Sequence, residues 1–369
     1  MKKTLSIILT LTVLSAGSLF AQDDFKSYSK FDFVPGEQVI YFEDFSQGAL
    51  GDFPAKWNTN SSGEIVTIST TGGKWLKTAR DGKYKPEIKT TGFPDNFTVE
   101  FDIIFKAPVT PEPQSSFQTM MIDFYVAQNE QVLTVDANDG GSGTGARFSM
   151  QEGSEFNALN WKDGEPGMQN AQNKDVFAGK NGKPCHISIW IQKQRGRLYV
   201  DETKVLDLPY FLPDGVKYNA ISFTSANNVE EEQLQNFISN IRIAVGAPDM
   251  RNKLMTEGKL VTHGILFDVN SDKIKPESYG TLKEISQVLK DNPTVKVKIV
   301  GYTDSDGDDK SNLDLSKKRS ASVKNSLSSD FGIDASRMET DGKGESEPIS
   351  PNTTAEGKAN NRRVEILKL

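Results

Sequence analysis

The chain has a single cysteine among its 369 residues, so no internal disulfide can form and the fold must stand without one. Cys185 sits in Pro184-Cys185-His186-Ile187-Ser188-Ile189-Trp190. That run reads as the start of a half-buried strand, not as the electropositive, exposed niche a reactive thiol needs. Only two histidines occur, His186 and His263, which leaves a histidine-based triad without obvious partners. Lys and Arg total 43 against 50 Asp and Glu, a net charge of −7. An acidic chain is a poor nucleic-acid ligand, because neutralising phosphates takes clustered Lys and Arg. No nucleic-acid partner is expected.

The first residues read as a targeting segment. Met1-Lys2-Lys3 is followed by an apolar run from Leu5 to Leu19 and then Phe20-Ala21-Gln22. This is the pattern of a secretory signal peptide, residues 1–21, cut after Ala21. The run is short and wrongly flanked for a spanning helix, and no cysteine near the cut offers a lipid anchor. Cleavage would remove two lysines and no acid, moving the net charge to −9. The remainder, about 348 residues, is enough for two domains with separate cores.

Residues 22–246 are expected to form an all-β domain. Phe97 to Phe105, Met120 to Val126, His186 to Gln192, Arg197 to Val200, Ala220 to Thr224 and Phe237 to Val245 read as strands between Gly, Pro, Asn and Asp turns. In His186 to Gln192, Ile187, Ile189 and Ile191 share one face while Ser188 and Trp190 take the other. No helix-period segment of useful length precedes residue 230. Many short strands separated by turns point to an antiparallel sandwich. Gly246-Ala247-Pro248-Asp249 opens an expected linker, residues 247–256.

Residues 257–369 change to alternating strand and helix. Ile265-Leu266-Phe267 reads as a short strand, and Pro276 suits the first turn of a helix to Lys290 with Leu282, Ile285 and Leu289 as its apolar stripe. Val295, Val297 and Ile299 alternate with Lys296 and Lys298 in the next strand. A second helix covers about 310–328, and residues 363–367 give a last strand. This βαβαβ order predicts an α+β domain with a mixed sheet and its helices on one side. Asp304 falls where a strand ends and a loop opens. Asn312 and Arg319, seven apart, share one face of the following helix. A carboxylate and a planar guanidinium so placed could hold a small zwitterion by its ammonium and its carboxylate.

The pieces Gly301-Tyr302-Thr303-Asp304, Asn312, Leu315-Ser316-x-x-Arg319, Val323, Gly342-x-Gly344-Glu345-x-x-Pro348, Asn352, Gly357 and Asn361-Arg362-Arg363-Val364 together resemble the OmpA-like peptidoglycan-binding family over residues 260–369. By that resemblance, Asp304 and Arg319 would bind the ammonium and carboxylate of diaminopimelate in the stem peptide of peptidoglycan. Asn312 and Leu315 would line the pocket, Arg363 would support it, and Phe267 and Asn270 would close its opposite side. Tyr302 stands where the family usually has His, and Ser320 where it usually has Ala, which implies altered rim packing. The acidic run Asp304-Ser305-Asp306-Gly307-Asp308-Asp309 lacks the spacing of a calcium loop, since Gly falls fourth and Leu315 occupies the twelfth place. No metal, cofactor or catalytic residue is expected.

In the first domain, Tyr41-Phe42-Glu43-Asp44-Phe45, Gly51-Asp52-Phe53-Pro54, Asn96 to Asp102 and Arg197-Leu198-Tyr199-Val200-Asp201 resemble a concanavalin-like or laminin-G-like jelly roll. Related hydrolases need two carboxyls about 5–5.5 Å apart. Here Glu100 and Asp102 share one strand face, but the residues that follow are Ile103, Ile104 and Phe105. The pair therefore reads as polar residues on the solvent face of a strand. Trp75, Trp161 and the 139–143 loop could offer a sugar platform, and the three glutamates at 230–232 read as a wet charge run. The expected protein is exported, periplasmic or outer-membrane-associated in a Gram-negative bacterium. It would bind peptidoglycan non-covalently, with a glycan or envelope protein as partner of the sandwich. The alternatives are an outer-membrane β-barrel with a wall-anchoring domain, or a wall or polysaccharide hydrolase.

Overall fold

A computed structural model describes residues 31–107, 118–129, 131–133, 143–153, 155–227, 235–246 and 249–369. The expected signal peptide, nearly all of the 139–143 loop and the 230–232 run lie outside them. Among the described residues, the first domain consists of two antiparallel sheets. The front sheet runs Thr203–Leu208, Arg195–Val200, Cys185–Gln192, Asn96–Lys106, Gln235–Val245, Thr71–Thr78, Gly63–Ile68, with Gln38–Glu43 also paired to Gln235–Val245. The back sheet runs Glu165–Asn173, Glu155–Lys162, Gly145–Gln151, Gln118–Tyr125, Ala220–Asn227, Lys83–Pro86, Trp57–Thr59.

Side-chain alternation explains how the sheets meet. Phe97, Val99, Phe101 and Ile103 point inward from the front sheet, and so do Ile187, Ile189 and Ile191. Ile122, Phe124 and Phe148 answer from the back sheet, and all are almost fully buried in one apolar core. An apolar interior is the inverse of a spanning barrel, whose apolar band faces outward around a polar lumen. Trp75 and Trp161 are both buried, at 2% and 1% exposed, so neither presents a ring face for a sugar.

The second domain contains four helices. They are α1 (Met250–Met255), α2 (Tyr279–Asp291), α3 (Asp309–Ser329) and α4 (Ala355–Asn361). Its sheet runs Lys259–Thr262, Val364–Lys368, Val297–Tyr302, Met338–Gly344, and only the last pair is parallel. Two expectations need correcting here. Residues 250–255, placed in the linker, form α1, whose Met250 and Leu254 are buried in the second domain's core. Residues 265–267 form no strand apart from a single bridge, Phe267 with Ile274; the edge strand is Lys259–Thr262. The reason is local. The Ser278 hydroxyl takes the Leu266 N–H at 2.8 Å, and Lys275 N–H donates to the Leu266 carbonyl at 2.8 Å, so this backbone has partners outside any ladder.

The second domain docks on the outer face of the front sheet, and residues 31–36 are wedged in the joint. Phe31 and Phe33 pack on Tyr199 and Trp190, while Val34 joins the second domain's core. Asn360 in α4 pairs with strand backbone like a residue of the sheet. It accepts from Val39 N–H at 3.1 Å and donates to the Val39 carbonyl at 2.8 Å. The outer face is therefore covered around Glu100 and Asp102, and this overturns the solvent-face reading of that pair. Glu100 is 3% exposed and accepts from Arg242 Nη1 at 2.6 Å. Asp102 bonds His186 Nδ1 at 2.7 Å.

Burial pushes the Glu100 carboxyl up, but the Arg242 and His186 charges outweigh it and hold the group below its usual range. Burial likewise opposes charge on His186, yet its hydrogen bond to Asp102 and the nearby Glu100 carboxylate raise it to about 10. His263 is the reverse case. Burial, with the Arg242 charge close by, pushes it down to about 4, and its Nε2 meets the Asn360 carbonyl at 2.9 Å.

Two predictions follow from this joint. A Cβ on Gly280 would overlap the Phe33 carbonyl oxygen, whereas one on Gly72 would meet open space. Gly280→Ala should lower stability in urea by at least about 1 kcal/mol despite the helix propensity gained, and Gly72→Ala should change it by about 0.5 kcal/mol or less. The histidines set a pH window. His186, raised from 6.5, stabilises fully below pH 6.5, and that contribution is lost as pH climbs to about 10. His263, depressed from 6.5, stabilises fully above pH 6.5, and that contribution is lost as pH falls to about 4. The urea midpoint should peak near pH 6.5, and His186→Gln should flatten only the alkaline limb.

Candidate functional site: a cleft between the two domains

A cleft of about 250 Å³ opens where the domains meet. The second domain contributes Phe267, Lys275, Tyr302, Arg319, Arg362 and Arg363; the sandwich contributes Phe42, Glu100, Asp102, His186, Asn240 and Arg242. This volume is just under the 300–1,000 Å³ usual for drug-sized ligands, and suits an amino-acid-sized group.

Arg319 projects from the middle of α3. It is half-buried, its Nε donates to the Ser271 carbonyl at 2.9 Å, and its guanidinium lies 4.9 Å from the centre of the Phe267 ring. Among the described residues no carboxylate is ion-paired with it. Burial disfavours its charge and the Arg362 guanidinium adds repulsion, while Asp304 and Asp272 act in its favour. A guanidinium left half-dry without an anion is a ready partner for a carboxylate.

Asp304 follows the Val297–Tyr302 strand and is 7% exposed. It does not face the cleft freely. Its carboxylate is hydrogen-bonded to Arg362 Nη1 and also accepts the Asp306 N–H at 3.1 Å. Arg362 in turn lies over the Phe42 ring of the sandwich, 5.0 Å from its centre. Arg362 is the residue that sequence reasoning left without a role; its only signal was its place beside Arg363.

The remaining predicted residues divide. Phe267 lines the cleft beneath Arg319. Asn312 is buried behind the loop, with its amide nitrogen near the Asp304 carbonyl (3.3 Å), the Asp306 carbonyl (3.1 Å) and Glu345 Oε2 (2.6 Å). It braces the Asp304 loop and is not part of the cleft wall. Leu315 is half-buried on α3, and Asn270 is exposed at φ 52°; neither lines the cleft. Arg363 reaches the wall but is occupied. It bonds Glu365 at 2.8 Å and the Glu347 carbonyl at 3.0 Å, and it stacks 3.6 Å from the centre of the Tyr302 ring. Tyr302 hydrogen-bonds Glu365 at 3.1 Å and forms cleft wall. Ser320 is buried and bonds the Lys317 carbonyl at 2.9 Å.

The acidic loop is spoken for as well. Asp306 pairs with Lys358 at 2.6 Å, and Asp308 caps α3 by accepting the Ser311 N–H at 3.0 Å.

Residues 266–362 match the OmpA family. The probable lipoprotein YiaD of Escherichia coli is 46% identical over 104 residues, 28% of this chain and 47% of that protein. Outer membrane porin F of Pseudomonas aeruginosa is 39% identical over 101 residues, 27% of this chain and 29% of that protein. The chain thus spans less than half the length of either. Motility protein B of Bacillus subtilis is 33% identical over 201 residues, 53% of this chain and 75% of that protein. Among solved structures, the peptidoglycan-associated lipoprotein of Burkholderia pseudomallei is 28% identical over 28% of this chain and 88% of its own, at a TM-score of 0.27. Asp304, Arg319 and Asn361-Arg362 all fall within residues 266–362, and the chain belongs to the OmpA family through this C-terminal domain.

Proposed function

We infer that this is an exported, non-catalytic envelope protein whose C-terminal domain holds peptidoglycan non-covalently through the diaminopimelate of the stem peptide. The observation that carries this reading is Arg319: a half-buried guanidinium in a cleft, seated on Phe267, with no carboxylate among the described residues paired to it. A ligand carboxylate supplies the missing charge in bidentate fashion. The ligand ammonium goes to Asp304, where it must share or replace the Arg362 contact. Both acids on the sandwich side are held in ion pairs, Glu100 with Arg242 and Asp102 with His186, so neither is free as a hydrolytic nucleophile or acid. The assignment of the sandwich to the concanavalin-like jelly rolls belongs to the same proposal, as do a glycan or envelope-protein partner for it and residence in the periplasm or at the outer membrane. The paired sheets with one apolar core support that assignment.

Pull-down of the full chain on purified sacculi tests the reading. Asp304→Ala and Arg319→Ala should each weaken binding by about tenfold or more, since each strips one partner from a largely desolvated charge pair. Arg319→Lys should recover only part of the loss, because an ammonium cannot reproduce the planar fork. Retention of both alanine variants at parental strength would sink the proposal.

A further inference from the structure

The cleft has a second wall, and that wall carries open hydrogen-bond donors. Gln235–Val245 bulges against Asn96–Lys106 between Ser239 and Arg242, with Asn240 in the left-handed region at φ 53°. A bulge adds a residue and re-aims the side chains beyond it. Here Arg242 lines the cleft together with Glu100, Asp102 and His186. Asn240 locks the arrangement by donating to Asp102 at 2.6 Å.

Each of these groups has one bond that fixes it and one atom left over. Arg242 gives Nη1 to Glu100, but its Nη2 is buried without a hydrogen-bond partner among the described residues, and the residue is 7% exposed. His186 gives Nδ1 to Asp102; its Nε2 is in ion-pair contact with Glu100 at 3.6 Å but has no hydrogen-bond partner among the described residues. Facing them across the joint, Glu277 lines the same cleft with a buried, unpartnered Oε2. Buried donors left open in this way cost stability, so they are retained only where something repays them.

We propose that the sandwich supplies a second subsite of the same cleft, in which Arg242 Nη2 and His186 Nε2 take a second carboxylate of the ligand whose first carboxylate is held by Arg319. This rests on the reading of Arg319 as a carboxylate anchor. Glu100 and Asp102 offset Arg242 and His186, so these four side chains form a set of oriented donors with no net charge among them. Such a set favours a ligand with carboxylates at both ends over one with a carboxylate at a single end. Diaminopimelate has two, and lysine is the same skeleton with one removed. The sandwich then acts in ligand choice and is more than a spacer.

Calorimetric titration of the full chain with diaminopimelate and with lysine tests this. The parent should bind diaminopimelate about tenfold or more tightly than lysine, the value of one charge-assisted contact. Arg242→Met should shrink that preference to within about twofold. Because Arg242→Met leaves Glu100 with less compensation, the double variant Glu100→Gln/Arg242→Met provides a second route and should show the same loss of preference. A preference that survives in a folded single or double variant overturns the second subsite, as does equal binding of both ligands by the parent. Parental binding of neither ligand overturns the Arg319 reading and this inference with it.

Discussion

The structure depends on one constraint: the front sheet of the sandwich has both faces covered. Its inner face meets the back sheet, as in any sandwich. Its outer face receives the second domain, with Phe31, Phe33 and Val34 filling the joint and Asn360 bonded to the Val39 backbone. Covering that face takes Glu100, Arg242, Asp102 and His186 out of water, and each must then find a partner. The ion-paired cluster, the raised His186 and the depressed His263 all follow from the dock. So does the cleft, which neither domain could form alone.

Charge is distributed unevenly around the cleft. Arg363 is matched by Glu365, Arg362 by Asp304, Arg242 by Glu100 and His186 by Asp102. Among the described residues, Arg319 is bound to a backbone carbonyl and an aromatic face, with no carboxylate paired to it. A half-buried cation without an anion is costly in a folded protein, and the carboxylate of the proposed ligand would offset that cost. The Asp304–Arg362 pair adds a second feature. Arg362 also rests on Phe42, so the acid expected to meet a ligand ammonium is linked to the packing between domains.

The sequence was legible where periodicity is strong and local. The alternating Ile187, Ile189 and Ile191 marked a core-facing strand, and Leu282, Ile285 and Leu289 marked the buried stripe of α2. It was silent where the local signal is weak. Met338–Gly344 contains Glu, Thr, Asp, Lys and two Gly, yet it is a strand because Val297–Tyr302 offers it a parallel partner. Helix α4 has little helix propensity and depends on Thr354, which accepts the Gly357 N–H, and on a glycine where any Cβ would overlap the Pro351 carbonyl. At 265–267 an apolar triplet looked like a strand, but Ser278 took its hydrogen bonds.

By itself the sequence determined the class of each half and the residues of the family motif, because these rest on spacing along the chain. Asp304, Asn312 and Arg319 could be named before any coordinates. Their division of labour could not: Arg319 faces the cleft, Asp304 turns to Arg362, and Asn312 braces the loop behind. Nor could the fate of Glu100 and Asp102, which alternation placed on an outer face without saying what covers it. Period-two patterning reports that a strand has two unlike faces. Whether the second face meets water or protein is decided by contacts such as Val39 with Asn360, 321 positions apart in the chain, and only the tertiary structure brings those together.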